Sequence, residues 1–389
     1  MRILQVGKFY PIRGGVEKVM WDLTKGISAR GIDCDMLCAK LPGDGIDAAD
    51  AGYADADGKG LTFNGHGHVA FAKAYAKVAA TMMSPAMVFK LRSMLRRAAR
   101  EGRPYDVVHV HHPDPMACVA LWLSGYKGKV ILHWHSDILK QKGLLKLYMP
   151  LQRWLIRRAD RIVGTTPVYV AQSPYLKDVQ EKCTYLPIGT EGIPRVEVAA
   201  GEKKIVYSMG RLVEYKGYRY LAEAAKYLPE NYEVVIGGGG PLKDELQAQI
   251  DSQKAENDAL KAAGKPGFAD VRLLGRVPDE DVAKWYNSCE VFVLSSVMKT
   301  EAFGIVQIEA MSCGKPVVAT KIPGSGTAWV NEDGVSGINV EICDAKAIAD
   351  AVLSIEADYA KFSAGARKRY EEVYTYEGMI DKCLAIYEA

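Results

Sequence analysis

Glu301-Ala302-Phe303-Gly304-Ile305-Val306-Gln307-Ile308-Glu309 sets two carboxylates eight positions apart, with a Phe-Gly turn and an apolar run between them. Cys313-Gly314-Lys315-Pro316 and then Val317-Val318-Ala319-Thr320 follow, which reads as a helix end, a turn and a buried strand. A helix starting near Phe303 leaves Glu301 in the loop at its positive end and Glu309 about two turns further on. Free backbone N–H groups at such a start bind phosphate. Carboxylates on either side can grip hydroxyls, so the segment suits a sugar on one side of a diphosphate and a ribose on the other. Paired carboxylates also flank the bond cut in glycoside hydrolysis, and a solvated helix face accounts for one of the two acids.

Three further stretches narrow the choice. Met209-Gly210-Arg211-Leu212, with Lys216-Gly217 just beyond, puts two cations after an apolar strand, where open α/β sheets bind their ligands. Fixed cations there can stabilise a leaving diphosphate without a metal. Gly14-Gly15-Val16-Glu17 forms a strand-to-helix turn in which backbone N–H groups can approach an anion. It lacks the Gly-x-Gly-x-x-Gly pattern of dinucleotide binding. His133-Trp134-His135-Ser136-Asp137 leaves the end of another strand. Together, and in this order, the four stretches resemble the retaining glycosyltransferases of family four (glycosyltransferase group 1 type), which are built on the GT-B fold.

That resemblance implies two Rossmann-like, doubly wound parallel-sheet domains facing a central cleft, and transfer of a hexose from a nucleotide diphosphate sugar with retention of configuration. The acceptor hydroxyl would attack from the face the diphosphate leaves, and a leaving phosphate oxygen would help to remove its proton. Carried over residue by residue, His135 touches the sugar at the reacting centre, with His133 behind it. Arg211 and Lys216 meet the diphosphate, Glu301 holds sugar hydroxyls, and Glu309 holds the ribose. The backbone of Phe303, Gly304, Ile305 and Val306 meets the phosphates, Gly14 and Gly15 add a phosphate contact, and Gly238 lets the chain lie close to the nucleotide. Val277 contacts the base through its main chain. Ala302 stands where the family often has Gly. No cofactor or metal is implied: the GDP- or UDP-linked sugar is itself the substrate, with mannose the favoured hexose and a glycan or lipid-linked saccharide, as in cell-surface polysaccharide or glycolipid synthesis, as acceptor. A GT-B sugar-nucleotide epimerase and a non-catalytic nucleotide-sugar-binding protein are the rival readings.

A length of 389 residues accommodates two domains. Strand-like runs at 2–6, 32–38, 106–110, 129–133, 161–165 and 183–186 form one series, and 203–209, 232–237, 270–274, 290–294, 316–320 and 337–340 a second. Val16–Ala29 reads as a helix, with Val16, Val19, Met20, Leu23 and Ile27 on one face. The expected division is an acceptor domain over 1–186 and a donor domain over 190–365. By resemblance, a last helix from about 366 to the end packs back on the first domain. The Gly/Asp/Ala-rich stretch 42–68 reads as a flexible loop. Its Asp55-Ala56-Asp57-Gly58 hints at calcium but lacks the remaining ligand spacing.

Eight scattered cysteines without a Cys-x-x-Cys pair suit small core residues in a reducing compartment. With no signal-peptide pattern or spanning segment, a cytoplasmic protein is expected. His109, His111 and His112 invite zinc, but alternation puts His112 on the opposite strand face. Charge is unevenly spread: residues 1–185 carry 27 Lys/Arg against 16 Asp/Glu, within an overall balance of +3. The basic excess lies in two amphipathic stretches, Lys90–Arg103 and Lys140–Arg161. These either dock on an anionic membrane, such as the inner face of the plasma membrane, or simply pack their apolar sides on the domain. No nucleic-acid motif accompanies them.

Overall fold

The computed structural model describes residues 1–12, 14–55, 60–78, 81–138, 142–199 and 201–389, with backbone alone at 49, 142 and 144. Asp57 and Gly58 of the calcium-like stretch, and Lys140 of the second basic stretch, lie outside the described residues. The chain divides into two compact units. The first is Met1–Ile188 with Met379–Ala389, and the second is Gly189–Gly378.

The first unit holds β1 (Arg2–Tyr10), β2 (Asp33–Lys40), β3 (Gly60–Phe63), β4 (Gly67–Lys73), β5 (Ala76–Val78), β6 (Thr81–Met83), β7 (Val107–His112), β8 (Lys129–Trp134), β9 (Arg161–Gly164) and β10 (Cys183–Tyr185). Eight of these form one sheet in the order β10-β9-β8-β7-β1-β2-β4-β3, parallel except for the β3–β4 pair. β1 is buried along nearly its whole length, as a strand covered on both faces must be. The helix Gly15–Ala29 packs Val19, Met20, Leu23 and Ile27 inward, while Val16 is only half-buried.

The second unit holds β11 (Lys204–Met209), β12 (Tyr232–Gly237), β13 (Asp270–Gly275), β14 (Val291–Leu294), β15 (Val317–Thr320) and β16 (Gly337–Val340) in an all-parallel sheet, ordered β13-β12-β11-β14-β15-β16. Its core gathers Val206, Val234, Ile236, Val293 and Val318 with Leu221, Ile348 and Val352 from the covering helices. Each sheet reverses strand order once, between β1 and β7 and between β11 and β14. At such points the chains leaving neighbouring strands diverge to opposite faces and open a crevice at the carboxyl ends.

Two features differ from the sequence reading. Residues 60–68 are not loop: β3 and β4 pair antiparallel through a turn in which His66 N–H donates to Phe63 O and both central residues, Asn64 and Gly65, have positive φ. Leu61, Phe63 and Val69 are fully buried there with Trp21, Met36 and Tyr10. The Asn-Gly dipeptide is the signal that identifies the turn. The stretch from 366 is not one helix either. Tyr359–Val373 packs against the helix Ile305–Ser312 within the second unit, and a separate helix, Tyr376–Glu388, carries the chain into the first. Gly238, assigned by the sequence reading to close approach of the nucleotide, also serves the protein's own packing. At φ +137° its added Cβ would sit 1.8 Å from the backbone oxygen of Gly210, and its N–H already donates to Gly275 O at 2.6 Å. Gly238→Ala is expected to lower unfolding free energy by at least about 2 kcal/mol, from the strained φ and the backbone overlap. Gly239→Ala, with nothing within 4 Å of its Cβ, is expected to change little. Urea denaturation without nucleotide measures both.

Candidate functional site

In the second unit the predicted residues converge at the carboxyl ends of β11 and β14. Gly217, at φ +64°, lets the chain turn so closely that a Cβ would stand 2.2 Å from Ser295 O, and this places Lys216 beside the segment that leaves β14. Lys216 Nζ lies 2.5 Å from Glu301 Oε2, with both side chains only about one-tenth exposed (11% and 13%). Ser296 Oγ donates to the same carboxylate oxygen at 3.1 Å. The Glu301 backbone is held as well: its carbonyl accepts from Ser325 Oγ at 2.5 Å, and that of Ala302 from Gly326 N–H at 3.0 Å. Arg211 is exposed and, among the described residues, has no ion-pair partner.

The helix begins at Ile305, two residues later than the sequence suggests. Gly304 caps it at φ +77° with no side-chain cap. Phe303 does not face outward but is buried edge-on against Tyr374, ring centroids 5.9 Å apart. Gln307 N–H is bonded to Gly304 O, so the backbone donors left over at this helix start, among the described residues, are those of Gly304, Ile305 and Val306. Glu309 accepts from Tyr286 OH at 2.6 Å. Burial, and then the Glu309 charge, push the Tyr286 pKa well up, so it stays a hydroxyl donor. Val277 is buried over Gly237.

In the first unit, Gly14 caps the helix Gly15–Ala29 with extended backbone and no side-chain partner. The carboxylate of Glu17 folds back over it, 2.3 Å from where a Gly14 Cβ would be. Histidines form the other feature. Gln5, His109, His111, His133 and His135 lie on one side of β1, β7 and β8, and all but His135 (4%) have no exposure. His112 is on the opposite face, stacked on Trp134 at 3.9 Å. His112 is thus apart from His109 and His111, as alternation along the strand requires, and one nitrogen from each of His109, His111 and His133 lies within 4.8 Å of the others. Their rings run nearly parallel, at 9–29°, a packing of flat rings side by side. Burial holds the pKa of all five strand histidines far below the usual imidazole range, His133 to about 3.

Two sequence families match this chain: "Glycosyl transferases group 1" over residues 190–372 and "Glycosyltransferase Family 4" over 13–178. The chain belongs to the family 4, group 1 glycosyltransferases. Two relatives align along almost the whole length. One is O-antigen chain mannosyltransferase C of Escherichia coli, 29% identical over 100% of this chain and 98% of that protein. The other is D-rhamnosyltransferase WbpZ of Pseudomonas aeruginosa, 29% identical over 96% of this chain and 92% of that protein. Among solved structures, Anabaena Alr3699/HepE in complex with UDP superposes with a TM-score of 0.70 at 18% identity, each chain fully covered. The fold is that of the GT-B glycosyltransferases, and the protein is a transferase.

Sequence reasoning about this glycosyltransferase missed the Lys216–Glu301 pairing, since contacts between residues 85 apart leave no local signal. It also missed Lys8, a buried lysine at φ +56° whose Nζ donates to Pro113 O at 2.7 Å. In the basic helices, Met87, Leu91 and Ala98 of Ala86–Arg100 and Leu145, Tyr148 and Leu155 of Lys142–Arg158 are buried. Phe89 (72% exposed) and Leu147 (82%) point out among the cations.

The buried histidines make stability acid-sensitive. Below the ordinary value of 6.5 the unfolded chain takes up a proton that folded His133 refuses down to about pH 3. Stability is therefore full above about pH 6.5 and falls as pH drops, by about 1.4 kcal/mol per unit for this residue. By pH 5, His133 alone should remove about 2 kcal/mol. Thermal melts between pH 7.5 and 5 should show the loss, and His133→Leu should flatten the slope.

Proposed function

We propose that this glycosyltransferase is metal-independent and moves a hexose, mannose being favoured, from its GDP-linked form to a hydroxyl of a lipid-linked saccharide with retention of configuration. The observation carrying the proposal is the convergence of Lys216, Glu301, Arg211 and the start of the helix Ile305–Ser312 at the β11/β14 switch point. The full-length similarity to an O-antigen chain mannosyltransferase supports the choice of sugar and of acceptor class.

In this reading the unpaired N–H groups of Ile305 and Val306 and the cations of Arg211 and Lys216 receive the diphosphate. Glu301, already ion-paired, keeps Lys216 oriented and offers its second oxygen to sugar hydroxyls. Glu309, braced by Tyr286, takes the ribose. Gly14, Gly15, Gly238 and Val277 remain assigned to contacts with the donor, the last two through backbone. The acceptor oxygen bonds to the anomeric carbon as the bond to the diphosphate oxygen breaks, and the acceptor proton passes to that leaving oxygen. Negative charge grows on the diphosphate during this step. Lys216→Ala should therefore lower turnover by about 100-fold or more, the scale of losing one contact to developing charge. Steady-state rates near wild type in that variant would remove Lys216 from the mechanism.

The donor is tested by thermal shift with UDP, GDP, ADP and dTDP and their sugar conjugates, with and without EDTA. Stabilisation by GDP and GDP-mannose that survives EDTA is expected. Stabilisation by another nucleotide alone would replace the base, and a shift abolished by EDTA would overturn metal independence.

The exposed Phe89 and Leu147, set among Lys90, Arg96, Arg97 and Lys146, support reversible docking on an anionic bilayer, where the acceptor would reside. Co-sedimentation with vesicles containing phosphatidylglycerol at low salt should be strong. It should fall at least about fivefold with Phe89→Asp/Leu147→Asp, each cation or apolar contact contributing about 1 kcal/mol. No binding to such vesicles would reject the docking surface.

A further inference from the structure

Beside the reacting residues, the first unit contains a buried chain of hydrogen bonds with a direction that can be worked out. Gln5, fully buried, has its amide nitrogen 2.9 Å from the Tyr387 hydroxyl and 3.8 Å from Cys34 Sγ, and its amide oxygen 2.8 Å from His111 Nε2. An amide nitrogen carries two hydrogens and an amide oxygen none. In this setting both hydrogens find acceptors and the oxygen accepts from His111. In the reverse setting the nitrogen would meet His111 alone among these partners, leaving one buried N–H without an acceptor, a loss that proteins avoid.

The setting fixes the rest. His111 must carry its proton on Nε2. Held neutral by burial, it has only a lone pair on Nδ1. That nitrogen lies 2.9 Å from His135 Nε2, so His135 donates from Nε2. His135 is neutral too, which leaves a lone pair on its Nδ1; among the described residues the ring's hydrogen bond runs through Nε2 alone. On the other branch the Tyr387 hydroxyl, having accepted from Gln5, lies 2.6 Å from His109 Nδ1 and also bonds Cys383. Donating to the thiol and accepting from His109 Nδ1–H leaves only a lone pair on the buried, unpartnered His109 Nε2. Tyr387 belongs to the helix Tyr376–Glu388, so the direction of the chain of protons is set by a residue distant in sequence from every ring it governs.

We propose that Tyr387, Gln5 and His111 are positioning residues that hold His135 in its Nε2–H tautomer, so that Nδ1 presents a lone pair to a saccharide hydroxyl. His135 then acts as a neutral hydrogen-bond acceptor, selecting a saccharide with a hydroxyl at that point. The proposal rests on the reading of His135 as a sugar contact; the relay itself does not.

The relay is tested by long-range ¹H–¹⁵N NMR on full-length protein labelled at histidine, without ligand. Single Nε2–H tautomers at both His111 and His135 are expected. Tyr387→Phe removes one amide acceptor and lets Gln5 reverse, so an Nδ1–H fraction should appear at both rings and in equal proportion. Rings that do not change together, or a wild-type His135 protonated on Nδ1, would overturn the relay. The link to the substrate is read from release of GDP from GDP-mannose. His111→Leu should lower kcat at least about tenfold with smaller change in KM, and His111→Gln, which can accept from His135 and donate to Gln5, should recover most of it. Equal rates for the Leu and Gln variants would overturn the positioning role. Wild-type rates in His135→Ala, with the coupled tautomers intact, would instead sink the assignment of His135 to the sugar.

Discussion

Everything in the second unit follows from β11 having β12 on one side and β14 on the other. The chain leaves β11 toward one layer of helices and leaves β14 toward the other, so the carboxyl ends of these two strands are the one place where two outgoing segments can face each other across a gap. Lys216 comes from the first segment and Glu301 from the second. Their ion pair costs the chain two partly desolvated charges, which their mutual attraction and the Ser296 hydrogen bond offset. Such a pair is poor evidence for stability. It is better understood as a pre-positioned site, in which a cation and an acid wait at fixed distance beside the free donors of a helix start.

The first unit applies the same topology to a different surface chemistry. Its β7 and β8 carry histidines, and β1 a glutamine, where a parallel sheet ordinarily carries Val, Ile or Leu. Neutral imidazoles can pack flat against each other there, but every one of them exchanges water for whatever partner the interior provides. His111 and His135 find partners; His133 finds none for either nitrogen. Nitrogens left in this way are an expense that a purely structural sheet would avoid by using apolar side chains.

Much of this architecture was legible in the chain. Both strand series lie close to where apolar runs flanked by glycine and proline put them, because parallel strands buried on both faces cannot carry many charges. The residues flanking the switch point were legible as well, since Arg211, Lys216, Glu301 and Glu309 stand at strand ends and helix starts whose spacing is local. What escaped is what depends on distant partners. The β3–β4 hairpin hid in a Gly/Asp/Ala-rich stretch because only its short alternation, Leu61 and Phe63 against Val69 and Phe71, reveals an inner face. That Gly238 packs against the backbone of Gly210 was likewise hidden, because nothing nearby in sequence announces that approach. Alternation alone set His112 apart from His109 and His111, but that His133 lies beside His111 comes only from the sheet register.

Tyr387 has a further consequence in time. The segment Met379–Ala389 completes the interior of the first unit, yet the ribosome makes it only after all of the second. At about 5–20 residues per second, the roughly 190 intervening residues take on the order of 10–40 s. During that interval the histidine-bearing face lacks Tyr387, and Gln5 has no hydroxyl to set its amide. The newborn first unit thus waits on a segment made after the whole of the second, and that segment supplies the hydroxyl its buried polar chain relies on.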